Sequence, residues 1–474
     1  MSEFLSHLLA YLAGGATVAL LMAGAGVLVA RWWRGWTHRA SLRAHKRYGA
    51  RIDRFKLAGR EAVIEALLDD PAVREAARAH AAAAGGSEEA AMAQVRGYLD
   101  EIVPAFSLWF YYQVGLAVAE AVLKLFFRVT VIDRRADAVA RLPKDAVVVY
   151  LMNHRSNADY LLAGYALAGQ VAISYAVGEW ARVFPLDNIF RAFGAYFVRR
   201  HYREPLYHAV LERYVQLITS HGVTQGIFPE GGLTRDGRLR EPKLGLLDYI
   251  LRVAGGPGSG GMYIVPVAIN YDRVLEDRAL LREQMGGKRR PLGKVVQFSV
   301  VLWYIAWNAF RIVIRRWRRH GDAVVVVGEP VSLDPWFAEL EARGTGIATL
   351  DRKERLREVH ALASDAMRWI GELMPVPAVP LTCAAIRSFG QGRIARAALA
   401  ERVARLRSAL VAEGREVLDP EEPAASVADR AIEMLWIRAA LQRERGSITV
   451  LPRGRALVEY YANSIGQPAG NRGG

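Results

Sequence analysis

His154 and Asp159 are the pair in this chain whose types and spacing best suit proton transfer. They lie in the run Asn153-His154-Arg155-Ser156-Asn157-Ala158-Asp159, directly after the apolar stretch Ala146 to Leu151. Positions five apart on a regular helix point in different directions, but a histidine in the turn before a helix and an aspartate in its first turn can face each other. Asp159 would then accept the proton on one imidazole nitrogen, leaving the other to draw a proton from a substrate hydroxyl. The competing reading makes Ser156 and Asp159 an ordinary capping box and His154 a loop histidine. Downstream, Phe228-Pro229-Glu230-Gly231-Gly232 closes a strand with glycines that let a substrate approach the backbone. Glu230 there could bind a hydroxyl, organise basic groups or sit in a salt bridge with one of them. Gly194 opens the run Gly194-Ala195-Tyr196-Phe197-Val198-Arg199-Arg200, whose two adjacent guanidiniums suit a small phosphorylated substrate. Read alone, they are equally a solvated basic patch continued by His201 and Arg203.

Strand ends must carry these residues. Short runs rich in Val and Ile recur at Ala146 to Leu151, Val171 to Val177, Tyr196 to Val198, Gln225 to Phe228, Tyr263 to Asn270 and Ala323 to Val327. With helical stretches between them, they predict strands buried on both faces of an α/β domain. Pro266 inside one of them suits an edge or a bulge. The stretch Gly255 to Gly261 is not a nucleotide loop, because it lacks the Lys-Ser/Thr ending and precedes a strand. Ser259 is not a nucleophile elbow, since Pro257 stands where glycine is required.

The 474 residues carry 63 Lys+Arg against 48 Asp+Glu, a net charge of +15 that suits anionic partners, and the 52% hydrophobic content favours lipid or phosphorylated substrates over nucleic acid. Cys383 is the only cysteine, which excludes an internal disulfide and a cysteine metal cluster and allows a reducing compartment. The ten histidines include no His-Glu-x-x-His pair, so no metal is implied.

From Phe4 to Ala30 no residue is formally charged apart from His7, which predicts one transmembrane helix. Arg31, Arg34, Arg39, Arg43, Lys46 and Arg47 follow it, placing the rest of the chain on the cytoplasmic side of the cell (inner) membrane. A cleaved signal peptide is the alternative, but the positive n-region is missing. Ala50 to Glu101 reads as helical with a break at Ala81 to Ser87. Phe106 to Val131, with Glu120, Lys124 and Arg128 four apart, and Phe298 to Phe310, followed by a run of arginines, read as helices lying on the membrane or as buried helices with basic ends. The expected organisation is an anchor and basic juxtamembrane segment (1–48), a helical membrane-associated region (49–140), a catalytic domain (141–335) and a helical C-terminal extension (336–474), broken near Asp419-Pro420-Glu421-Glu422-Pro423.

Over roughly Val147 to Pro330 the sequence resembles the glycerolipid acyltransferases. Asn153, His154, Arg155, Ser156, Asp159 and Tyr160 match the family's first motif, and His-Arg-Ser is typical of enzymes acylating glycerol 3-phosphate or dihydroxyacetone phosphate. Lysophosphatidate enzymes more often have His-Gln-Ser, and commonly aspartate where this chain has Arg199. Phe228 to Gly232 resembles the glutamate-glycine signature, with Thr234, Arg235, Gly237 and Pro242-Lys243-Leu244-Gly245 continuing it. One departure is Leu233, where an arginine is usual. Ile264 to Tyr271 resembles the last family block, and Gly328-Glu329-Pro330 the end of the domain.

The resemblance implies a central sheet flanked by helices and a glycerol-3-phosphate 1-O-acyltransferase. Its base would be His154, oriented by Asp159. Arg155, Ser156, Gly194, Arg199, Arg200, Glu230, Gly231, Arg235 and Lys243 would meet the substrates, with phosphate resting on Arg199, Arg235 and Lys243. Backbone N–H groups near Gly231 would hold the oxyanion. The partners would be the membrane lipid bilayer, glycerol 3-phosphate and an acyl-carrier-protein or coenzyme A thioester, with no cofactor and no nucleic acid. Lysophosphatidate or dihydroxyacetone phosphate as acceptor, and a non-catalytic protein holding anionic lipid, remain the alternatives.

Overall fold

The computed structural model describes residues 59–107, 115–134, 138–168, 173–178, 190–199, 202–253, 260–284, 319–390 and 392–466, together with Phe55 and Tyr111. The expected transmembrane helix Phe4 to Ala30, the apolar segment Phe298 to Phe310 and Arg200 lie outside the described residues. None of the described helices is long and apolar enough to cross a membrane.

The predicted strands assemble into one mixed sheet of eight. β1 (Arg128–Asp133), β2 (Val147–Met152), β3 (Ser174–Gly178), β4 (Tyr196–Val198), β5 (Gln225–Ile227), β6 (Met262–Tyr271) and β7 (Asp322–Val327) stand in the order β1-β7-β6-β2-β5-β3-β4, and β8 (Val331–Ser332) pairs beside β6. The strands from β6 to β4 are mutually parallel, so the turns that leave β2, β4 and β5 share one edge of the sheet. β7 runs antiparallel to β6 and parallel to β1.

Alternation along the central strands feeds two cores. Val148, Tyr150 and Met152 of β2, with Val265, Val267, Ile269 and Tyr271 of β6, pack on one face with the C-terminal helices. Val147, Val149 and Leu151, with Ile264 and Ala268, pack on the other face. Their partners there come from α1 (Arg60–Leu68), α2 (Pro71–Ala84), α3 (Glu88–Ile102), α6 (Pro205–Ser220) and α10 (Arg352–Glu372). The predicted helix break after Ala81 is real: Gly85 ends α2 at φ +64°, and the Ser87 side chain caps α3 by accepting from the Ala90 N–H.

Two expectations change. Phe106 to Val131 is not one amphipathic helix: the described helix is α4 (Leu116–Phe126), and from Arg128 the chain is strand β1. Lys124 still pairs with Glu120, but Arg128 turns to Asp322 and Asp419, and Val129, Val131 and Ile132 extend in register with β7. Pro266 lies in a central strand, not at an edge. It falls where β6 changes partner, between the β8 pairing at Tyr263 and Ile264 and the β7 pairing from Val267, so a missing N–H costs no ladder bond on that side.

The C-terminal region packs α11 (Ala378–Arg387), α12 (Arg396–Ala412), α13 (Ala424–Ile437) and α14 (Arg455–Asn463) around a small antiparallel sheet of β9 (Arg393–Ala395), β10 (Leu441–Glu444) and β11 (Ser447–Val450), ordered β10-β11-β9. α14 sits directly over the loop after β5: a Cβ on Gly237, which has φ +84°, would lie 1.9 Å from the Tyr460 carbonyl oxygen.

Candidate active site

The turn after β2 is built by short-range hydrogen bonds. Asn153 exchanges two bonds with the Ile269 backbone, at 2.9 and 2.7 Å, continuing the β2–β6 ladder past the last strand residue. The chain then turns, and helix α5 (Asp159–Leu167) begins at Asp159, three residues later than Ser156. One carboxylate oxygen of Asp159 gathers the turn: Oδ2 accepts from the backbone N–H groups of Arg155 at 2.6 Å and Ser156 at 3.0 Å, and stands 3.0 Å from His154 Nδ1. Only half of the expected capping box forms: Asp159 takes the Ser156 N–H, whereas the Ser156 hydroxyl oxygen accepts from the Ala158 N–H and not from that of Asp159. Asp159 and His154 are buried, and His154 Nε2 has no hydrogen-bond partner among the described residues. Phe228, at 4.4 Å between ring centroids, and Tyr160, at 5.3 Å, flank the imidazole.

Glu230 joins this turn to the loop after β5. Its carboxylate accepts from the His154 N–H at 2.7 Å and the Arg240 N–H at 3.0 Å, while the His154 carbonyl accepts from Thr234 N–H at 3.1 Å. Burial pushes the Glu230 carboxyl up to about 7 against the pull of the His154 N–H, Arg155 and Arg240. No side-chain salt bridge engages Glu230 among the described residues, so it organises main chain. Gly231 adopts φ +63°, where a Cβ would meet the Lys243 stem at 2.8 Å. Its N–H is taken up by the Phe228 carbonyl at 3.0 Å, so it is not the free oxyanion donor expected there.

The remaining predicted residues divide. Arg155 does not face a substrate: it is 1% exposed, and its guanidinium donates to the carbonyls of Gly237 at 2.8 Å and Ser464 at 3.0 Å, pinning α14 to the catalytic loop. A long cation entering a closed core must satisfy itself on carbonyls, and these two were there. Ser156 is likewise structural, donating to Glu276 at 2.7 Å and accepting from Ala158 N–H at 3.1 Å. Gly194, at φ +81°, turns the chain into β4 against Phe106. Arg199 stands at the end of β4 on the same sheet edge as His154. Its Nε and Nη2 grip Glu101, the closest contact being 2.6 Å, and its guanidinium lies over Tyr98, Tyr202 and Tyr207. Nη1 has no partner among the described residues. Arg235 is exposed and pairs with Glu283 at 3.3 Å. Lys243 is exposed, with its N–H on the Pro229 carbonyl at 2.7 Å and no carboxylate on its ammonium among the described residues. Leu233, the departure from the family pattern, packs against the core.

Three participants were not read from the sequence. Tyr271 donates to Asp159 Oδ1 at 2.5 Å, Glu276 takes the Ser156 hydroxyl and the Asn157 N–H, and Arg240 brings its charge beside Glu230. Tyr271 closes the last motif and could have been suspected from that position; Glu276 carried no signal. Among the described residues no cluster of His, Cys, Asp and Glu is arranged to hold a metal ion.

Residues 135–270 match the acyltransferase family model, and residues 306–466 match the model of the glycerol-3-phosphate acyltransferase C-terminal region. The chain is 29% identical over 435 residues to a glycerol-3-phosphate acyltransferase of Aeromonas hydrophila, covering 86% of this chain and 50% of that protein. It is 28% identical over 427 residues to the one of Pasteurella multocida, with the same two coverages of 86% and 50%. The chain thus spans about half the length of the curated relatives it matches. Among solved structures it is similar to the 1-acyl-sn-glycerophosphate (LPA) acyltransferase of Thermotoga maritima, at 18% identity and a TM-score of 0.30, covering 54% of this chain and 76% of that one, a likeness too loose to decide between acceptors. The chain is thus similar to glycerol-3-phosphate acyltransferases in two successive segments, an acyltransferase segment at 135–270 and a C-terminal segment at 306–466.

Proposed function

We propose that the chain transfers a fatty acyl group from a thioester to the 1-hydroxyl of glycerol 3-phosphate, giving lysophosphatidate. The observation that carries this reading is the imidazole of His154: Nδ1 is fixed on Asp159, and Nε2 is buried beside it without a partner among the described residues. Nε2 takes the hydroxyl proton as the oxygen attacks the thioester carbonyl carbon. The tetrahedral intermediate collapses with cleavage of the C–S bond, and the imidazolium returns its proton to the departing thiolate. No covalent acyl-enzyme is needed; Cys383 is buried in the C-terminal core, and its thiol is held well above its usual range by that burial.

The acceptor phosphate is supported by cations around this turn: Lys243 and Arg240 on the loop tied to Glu230, Arg235 beyond them and Arg199 Nη1 along the sheet edge. The thioester carrier is acyl-carrier protein or coenzyme A, which share the phosphopantetheine arm. An inner-membrane anchor near the N-terminus, with catalysis on the cytoplasmic side, fits the apolar run Phe4 to Ala30 and its basic flank.

The test is incubation of the protein in vesicles with a palmitoyl thioester and glycerol 3-phosphate, lysophosphatidate or dihydroxyacetone phosphate, beside His154→Ala. Product from glycerol 3-phosphate, lost in the variant, is expected. Histidine-dependent product only from another acceptor, or none at all, overturns the reading.

A further inference from the structure

Asp159 is fully buried, and its two oxygens stand in different company. Oδ2 serves His154 Nδ1 and the N–H groups of Arg155 and Ser156. Oδ1 accepts from the Tyr271 hydroxyl at 2.5 Å. Tyr271 is the last residue of β6, fully buried, with its ring 5.3 Å from that of Phe127. Burial, and then the neighbouring Asp159, hold its phenol well above the usual range, so it keeps its proton and remains a donor.

We propose that Tyr271 is a positioning residue for the acyl-transfer base, its hydroxyl fixing the Asp159 carboxylate so that Oδ2 faces His154 Nδ1. The proposal rests on the reading of His154 as that base. A carboxylate can turn about its Cβ–Cγ bond. With Oδ1 bare in a dry core, either oxygen could answer the backbone donors of the turn, and the imidazole would lose its fixed partner. A donor on Oδ1 removes that freedom and satisfies the last acceptor of a buried charge. The strand supplies the anchor: β6 is held between β2 and β7, and Asn153 ties its Ile269 to the histidine turn itself. Tyr271, Asp159 and His154 thus form a chain of three side chains whose far end is fastened to the sheet.

The variant Tyr271→Phe keeps the ring and removes only the hydroxyl. Expected is a kcat lower by roughly 10- to 100-fold, the range of one hydrogen bond to a charged group, with KM for acceptor and thioester nearly unchanged. In an Asp159→Asn background the same change should have almost no further effect, because the group it acts through is already altered. The downfield Nδ1–H resonance of His154, identified by its loss in His154→Ala, should shift and broaden in Tyr271→Phe. An unmoved resonance, or an equal kcat loss in both backgrounds accompanied by a lowered melting temperature, overturns the proposal in favour of plain packing. The resonance reads Tyr271 whatever the acceptor: failure of the wild type to acylate glycerol 3-phosphate overturns the proposed function alone, and failure of the resonance to move overturns this inference alone.

Discussion

Arg155 and Arg199 both come from motifs read as substrate-binding, both follow a strand at the same edge of the sheet, and the fold uses them in opposite ways. Arg155 is closed into the junction between the loop after β5 and α14, with two carbonyls on its guanidinium. Arg199 stands at the rim, braced by Glu101 and three tyrosines, with no partner on Nη1 among the described residues. The first binds the molecule together; the second is the one proposed above to meet the acceptor phosphate. Motif membership names a neighbourhood, and burial and partners decide the role.

The largest effect belongs to the histidine on that sheet edge. His154→Ala should lower kcat by about 10²- to 10⁴-fold, the usual contribution of a positioned general base, with the melting temperature little changed. A retained rate would break the reading of this edge as an active site.

The comparison itself is tested by the two alanine variants. Arg155→Ala leaves the buried carbonyls of Gly237 and Ser464 without donors, at about 1–3 kcal/mol each, so urea denaturation should show a loss of a few kcal/mol. Any activity change should follow the folded fraction. Arg199→Ala should instead raise KM for glycerol 3-phosphate by roughly tenfold or more, a charge-assisted bond lost, while KM for the thioester stays. This is the more exposed of the two predictions. β4 stands three strands from β2, roughly 14 Å at ~4.8 Å per strand, and a small acceptor must span toward it from His154. An unchanged acceptor KM would make Arg199 a tie to α3 and leave the phosphate to Lys243, Arg240 and Arg235.

What the sequence disclosed follows the range of the interactions. The strand cores were legible because continuous Val and Ile runs have few alternatives, and Tyr196–Val198 was placed to the residue. The histidine–aspartate pair was legible because both partners lie within five residues and one turn joins them. Arg155 was misread because its acceptors lie 82 and 309 residues away, on elements whose placement no local pattern gives. Tyr271, 112 residues from Asp159, was hidden for the same reason. Strand β1 was absorbed into an amphipathic helix because its short apolar run continues the helix before it; only pairing with β7 distinguishes the two. Pro266 was assigned to an edge because the rule that excludes proline from central strands assumes an unbroken partner on each side, and β6 changes partner there.

The finest test bears on Glu230, which holds the histidine turn through the N–H groups of His154 and Arg240. Its folded carboxyl sits near 7, raised by burial from 4.5. A carboxyl raised on folding binds its proton more tightly in the folded state. Its contribution to stability is therefore fully present below about 4.5, declines as pH rises through the window to about 7 and changes no further above it. Asp272, raised by burial and by Asp322 to about 7, adds a decline of the same sign. In Glu230→Gln the amide oxygen can accept from only one of the two N–H groups, of His154 or Arg240, so the variant starts less stable at low pH. It has no proton to lose, however, and the gap between wild type and variant in urea denaturation should narrow from pH 5 to pH 7.5. A gap that widens instead would mean that Glu230 is ionised throughout, stabilised by Arg155 and Arg240 more strongly than burial opposes it.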